Sequence, residues 1–200
     1  MTITVTSNKG KRDIIVPESM DQVSTAIYQK LVPVSDRLEA YEIISGVSRE
    51  TLERLISPDL EFALSNCLLL IKSDAEFKKQ EVPKRLIIGD LEVKIPKRIE
   101  GLSVGQAIHV RQHLESCKFY EQAISLTVAI YLQPEYDGLP FDFDQALELE
   151  QEILKLPITE TYPLGFFLLS LMTNNGNDFI SRWSRTFTNL FSLSLRNESR

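Results

Sequence analysis

Glycine is scarce in this chain, with eight in 200 residues, and none falls into a phosphate-cradling pattern. Gly101 and Gly105 fit neither the dinucleotide fingerprint nor the Walker spacing, and no Gly-x-Ser-x-Gly elbow occurs, so the familiar nucleotide loops and the strained serine nucleophile are excluded. Cysteine is scarcer still. Cys67 and Cys117 both sit in helix-like apolar surroundings, which fits a reduced, cytosolic protein better than a disulfide scaffold. Positive charge is in deficit: 22 Lys and Arg face 28 Asp and Glu, a net charge of −6. Duplex binding needs a basic field, so nucleic acid is not an expected partner. Long apolar runs are missing too. The longest, Cys67–Ile71 and Leu164–Met172, are too short to span a bilayer, and no membrane is expected as a partner. The first residues lack a basic segment followed by an apolar one, so no signal peptide is expected.

Only two histidines are present, His109 and His113. Their i, i+4 spacing places them on one helix face, as in a zinc-protease helix. The glutamate base that such a helix carries after its first histidine is absent, because Val-Arg-Gln intervenes. A further zinc ligand would have to come from Cys117 or a carboxylate. The pair reads as a solvated helix face, and no metal, cofactor or catalytic residue is expected. A metal-dependent hydrolase using His109 and His113 stands as the alternative.

What is present is an ordinary globular composition, 43% hydrophobic and 25% charged, in a length that supports a sizeable core. One phrase occurs twice at an offset of 79 residues: Val16-Pro-Glu-Ser-Met-Asp-Gln-Val-Ser24 and Ile95-Pro-Lys-Arg-Ile-Glu-Gly-Leu-Ser103. Each copy follows a strand-like run and precedes a helix-like run. Proline ends the strand because it has no N–H for the ladder. Two apolar residues three apart turn the chain over a core, and the serine accepts from the first free N–H groups of a helix. Ser103 to Gln106 also has capping-box spacing.

The pattern predicts an α+β chain, mostly helical, in which two β-hairpin–Pro–helix repeats are each followed by a helical bundle. Residues 1–72 form the first unit, 73–84 a polar linker and 85–173 the second unit. Residues 174–200 form a C-terminal amphipathic helix. The first hairpin spans Thr2–Val16. Helices follow over Thr25–Val32, over Asp36–Ser45 capped by Ser35, from Ser48, and from Pro58 to Lys72. The second hairpin turns at Gly89-Asp90. Helices then cover Val104–Cys117 and Tyr120–Leu132. An acidic, aromatic loop occupies Pro134–Asp144. Asp144 caps a helix to Lys155, and Pro163 begins an apolar helix to Thr173.

Two surfaces read as partner contacts. In the C-terminal segment Phe179, Trp183, Phe187 and Phe191 recur every four residues, and four arginines against Asp178 and Glu198 make it net positive on an acidic chain. Such a helix either packs on the domain or inserts into a partner's groove. In the loop, Tyr136, Phe141 and Phe143 alternate with carboxylates; the rings either contact a partner or dock on the chain itself.

The doubled phrase, Pro-x-x-[Met/Ile]-[Asp/Glu]-x-[Val/Leu]-Ser between strand and helix, resembles small proteins encoded among the tail and virion genes of tailed phages of Bacteroidota, including crAss-like phages. Met20-Asp-Gln-Val-Ser24 fills the place of their Trp-Glu-[Leu/Val]-Thr helix start, without the tryptophan. Ile44-Ser-Gly-Val-Ser-Arg-Glu-Thr-Leu-Glu-Arg-Leu55 resembles their helix–Gly–helix phrase, and Leu102–Gln106 their Leu-Thr-x-Gly-Gln phrase. The resemblance covers about residues 10–70 and 85–132. It implies a non-catalytic protein–protein interaction module of virion or tail assembly, chaperone-like or structural, with phage structural or tail proteins as partners. Its location would be the host cytoplasm, with the virion as the alternative, and its oligomeric state is left open. A cytosolic adaptor outside phages shares the same architecture.

Overall fold

The computed structural model describes residues 1–7, 10–55, 57–73, 80–95 and 102–174. The fold is α+β and mostly helical, with two small antiparallel strand pairs. In the first, β1 (Thr2–Ser7) pairs with β2 (Gly10–Ile15), Thr2 opposite Ile15. In the second, β3 (Arg85–Ile88) pairs with β4 (Leu91–Lys94). Period-2 patterning decides the faces. Leu86, Ile88 and Val93 are buried while Ile87, Arg85 and Glu92 face out.

Both hairpins feed a serine-capped helix. After β2, Met20 and Val23 are buried and the Ser24 hydroxyl accepts from Ile27 N, starting α1 (Thr25–Leu31). After β4, Ile95 is buried, Leu102 is half-buried, and Ser103 caps α5 (Val104–Ser116). Residues 96–101 of the second corner lie outside the described residues.

The chain between the hairpins forms α2 (Arg37–Ser45), α3 (Arg49–Leu55) and α4 (Pro58–Ser73). Asp36, rather than Ser35, caps α2 by accepting from Glu39 N at 2.8 Å. Tyr120–Ala123 is a 3-10 turn that runs into α6 (Ile124–Asp137). Ten consecutive residues of α6, Ile124–Gln133, are buried. A helix that is apolar all round belongs at the centre of a core, and α6 packs against α5, α7 (Phe143–Ile153), α8 (Ile158–Asn174) and β4.

Besides the cap of α2, other boundaries differ from the sequence expectation, each for a physical reason. The helix expected to stop at Leu132 continues through Pro134 to Asp137, and the loop shrinks to residues 138–142. Gly138, at φ +70°, ends α6 in the left-handed conformation that favours glycine. Proline at 134 has no N–H for the carbonyl of Ile130. The side chain of Gln106 supplies that donor, Nε2 to Ile130 O at 2.7 Å, while its Oε1 accepts from Ser103 N at 2.9 Å in the capping box. Next, Asp142 and not Asp144 caps α7, accepting from Gln145 N at 3.1 Å. Last, Pro163 lies inside α8 instead of starting it. The lost hydrogen bond is offset by burial of Tyr162, Leu164 and Leu168.

Gln106 thus caps one helix and repairs another. Gln106→Ala is expected to cost about 2–4 kcal/mol, the sum of a lost cap and a stranded buried carbonyl. In a Pro134→Ala background, where residue 134 regains its N–H, the cost should fall to the cap alone, about 1 kcal/mol. A urea double-mutant cycle reads the coupling, and additive losses would refute the repair.

The two segments, residues 1–72 and 85–173, share one hydrophobic core cluster. Their join is polar at its centre. The first amides of α1, Thr25 N and Ala26 N, donate to Leu156 O at 2.8 Å and Leu154 O at 3.0 Å, at the end of α7. Free N–H groups at one helix start therefore meet free carbonyls at another helix end, in the favourable dipole sense. Ile158 N returns the contact to Val23 O at 2.9 Å. Beneath it, the buried Thr25 hydroxyl bonds the Thr161 hydroxyl at 2.6 Å. Among the described residues no helix is long and apolar enough to cross a membrane.

Candidate docking groove

The join that fixes α1 also leaves its outer face open. Thr25, Tyr28, Gln29 and Leu31 turn inward; Ala26 and Ile27 are half-buried and Lys30 is exposed. A trough of about 720 Å³ lies on the α7 side, between α1, the Tyr120–Ala123 turn and the end of α7. A second, of about 450 Å³, lies on the α2 side against the Gly46-Val47-Ser48 corner. Ala26 and Lys30, one helical turn apart, line both, so the two troughs adjoin along this edge of α1 and offer a groove across it.

Gln29 is spent: its amide donates to Glu121 O at 2.9 Å and accepts from Ser125 Oγ at 3.2 Å. Gln122 uses only its oxygen, which accepts from Lys118 N and Phe119 N, both at 3.1 Å. Among the described residues its NH₂ has no hydrogen-bond partner, and neither has the exposed Gln151 amide. Lys155 pairs with Glu152 at 2.6 Å, a contact 68% and 40% exposed at its two side chains and therefore weak. Lys30 forms no ion pair within the described residues. The floor is apolar, from Ala26 and Leu154 on one side to Ile43 and Val47 on the other.

The residues singled out in the sequence fall elsewhere. Phe179, Trp183, Phe187 and Phe191 lie outside the described residues. Tyr136, Phe141 and Phe143 are half-buried and pack against the core. Tyr136 stands on α6 and Phe143 opens α7, so only Phe141 is a loop residue. His109 stacks on Phe143 with ring centroids 4.0 Å apart and 12° between planes, and lies 5.8 Å from Phe141. The rings are thus docked on α5. Buried Gln133 holds them there, donating to Asp137 Oδ2 at 2.8 Å and accepting from Asp142 N at 2.9 Å.

His113 turns to Cys117, with Nε2 and Sγ 3.6 Å apart. The two histidines therefore address different neighbours and do not converge. Among the described residues no group of three or more His, Cys, Asp or Glu is arranged to hold a metal. Burial pushes the Cys117 thiol up, with the Glu150 charge adding and a hydrogen bond from Ser116 opposing. A thiol held protonated is a poor nucleophile despite its neighbouring imidazole.

The groove gave no periodic signal in the sequence. Its residues come from α1, the α2–α3 corner, the 3-10 turn and α7, and only the fold collects them. The chain matches no family model, no curated protein and no solved structure.

Proposed function

We propose that the chain is a non-catalytic protein–protein interaction module that receives a segment of a partner protein in the groove across α1. The observation that carries this reading is the groove's donors without a partner among the described residues, the amides of Gln122 and Gln151 and the ammonium of Lys30, set around an apolar floor. Small-molecule sites bury most of their ligand in a largely apolar, enclosed cavity. A broad, open, amide-lined groove suits a polypeptide, whose carbonyls take the amide donors while its side chains cover the floor. In the setting implied by the sequence resemblance, the partner is a structural or tail protein of a tailed phage, and the module holds it during virion or tail assembly. The acidic surface opposes non-specific association.

The test is co-purification of the tagged full-length chain from cells expressing the neighbouring genes. Gln151 is exposed, so Gln151→Trp should fill the α7 side of the groove without changing the melting temperature. Loss of a captured structural protein at unchanged melting is the expected outcome. Capture that survives Gln151→Trp but vanishes on removal of residues 176–200 would move the contact to the aromatic C-terminal segment. No specific partner in any form would overturn the reading.

A further inference from the structure

We infer that the groove selects a partner segment in which a carboxylate side chain lies beside an aliphatic one. This rests on the docking reading above and specifies its occupant. The two troughs differ in charge. The α7 side presents Lys30 and Lys155 beside the Gln122 and Gln151 amides, whose NH₂ groups can donate. The α2 side adds Glu42 to an apolar wall of Ile27, Ile43 and Val47. Lys30 lines both troughs, so a carboxylate is favoured on the α7 side, where Lys155 joins Lys30, over the α2 side, where Glu42 offsets Lys30 and an aliphatic side chain finds its matching surface.

The wider field strengthens the selection. The chain carries −6 overall, so a segment of like charge is turned away everywhere except at a local cluster of cations. Lys30 stands where the two troughs meet and has no ion-pair partner among the described residues. A carboxylate arriving there meets an ammonium with no ion pair to displace, and so gains more attraction than at Lys155, which already holds Glu152 at 2.6 Å. Nucleic acid also offers anions, but two lysines on an acidic body do not make the basic field that a phosphate backbone needs.

The experiment titrates the full-length, isotopically labelled protein at low salt with a short synthetic peptide alternating glutamate and leucine. Backbone amide shifts should centre on Ala26, Lys30, Gln122 and Gln151. Replacing glutamate by glutamine in the peptide, or Lys30→Glu in the protein, should each weaken binding by about tenfold or more, one charge contact in a partly desolvated groove. Lys155→Gln, made as a second variant, should weaken it less. Equal affinity for the two peptides, shifts centred elsewhere, or displacement of the peptide by a DNA oligonucleotide at comparable concentration would each overturn the inference. Loss of partner capture with Gln151→Trp alongside equal affinity for the two peptides would leave the docking reading standing and remove only the preference for acid.

Discussion

Gly165→Val should unfold the protein or come close to it, because Gly165 is where the two most buried helices touch. A Cβ placed on Gly165 would lie 2.7 Å from Ile124 Cγ2 and 3.3 Å from both Ile124 Cβ and Val128 Cγ2. These are branched, fully buried side chains with no room to swing away, since Ile124 and Val128 are each 0% exposed. Close-packed interiors respond to added methyl groups by shifting backbone or straining rotamers, typically at about 1–3 kcal/mol for a modest overfill. Valine adds two methyls beyond the clashing Cβ, so a loss of about 3 kcal/mol or more is expected, a large part of the 5–15 kcal/mol that a domain of this size holds. Gly165→Ala sets helix propensity against the same clash. Alanine gains about 1 kcal/mol over glycine in a helix interior, so its net effect should be a smaller loss. The decisive comparison pairs Gly165→Ala with Ile124→Ala. The second change alone opens a cavity and should cost about 2–5 kcal/mol. If the helices approach as described, the added methyl at 165 partly fills that cavity, and the double variant should be more stable than the sum of the singles. Chemical denaturation of the four proteins reads this, and a purely additive cycle would place α6 and α8 further apart than they are described.

That contact shows what a sequence conceals. Gly165 in Leu164-Gly-Phe-Phe reads only as a mild weakness in an apolar helix, and its partner is some forty residues away. Features with local causes were legible. The serine caps at Ser24 and Ser103, the proline start at Pro58, the Gly89-Asp90 turn and the capping-box spacing to Gln106 each depend on residues within a few positions. Features whose cause is distant were not. Pro134 breaks a helix in isolation and does not do so here, because Gln106 carries a donor to Ile130 O. Pro163 looked like a helix start, yet α8 begins at Ile158, whose N–H is held by Val23 O. Asp142 and Asp144 are interchangeable as caps by residue type. Gln133, which donates to Asp137 and accepts from Asp142, decides between them. The groove mixes both cases: its α2 side is built from residues 26–48, while its α7 side sets α1 against the distant Tyr120–Ala123 turn and the end of α7.

Alkaline pH should unfold this protein steeply from about pH 10, before the phenols of Tyr28, Tyr120 and Tyr162 ionise in the folded state. Three tyrosines meet at the seam between the segments. Tyr28 and Tyr162 pack edge to face with centroids 6.2 Å apart, Tyr120 and Tyr162 share a hydrogen bond between their hydroxyls, and Phe166 stacks on Tyr162 at 5.8 Å. Burial pushes all three phenols above the ordinary range. The negative charge of Glu121 adds to the rise in each, and for Tyr162 the hydrogen bond from Tyr120 partly opposes it. The sign follows from proton counting. Below pH 10 the phenols are protonated in both states and contribute no slope. Above it the unfolded chain releases protons that the folded chain keeps, so stability falls as pH rises. Three such groups give a slope near 4 kcal/mol per pH unit. Cys67 begins earlier, as burial pushes its thiol to about 11 from 9. A stability of ordinary size would therefore vanish within a few units. Tyrosinate absorbance should rise together with the loss of helical circular dichroism, in one transition. Tyr28→Phe removes one titrating group and should lower the slope by about a third. A Tyr28→Phe variant whose slope matches that of the unaltered protein would show that this phenol is open to solvent, and the seam between the segments looser than described.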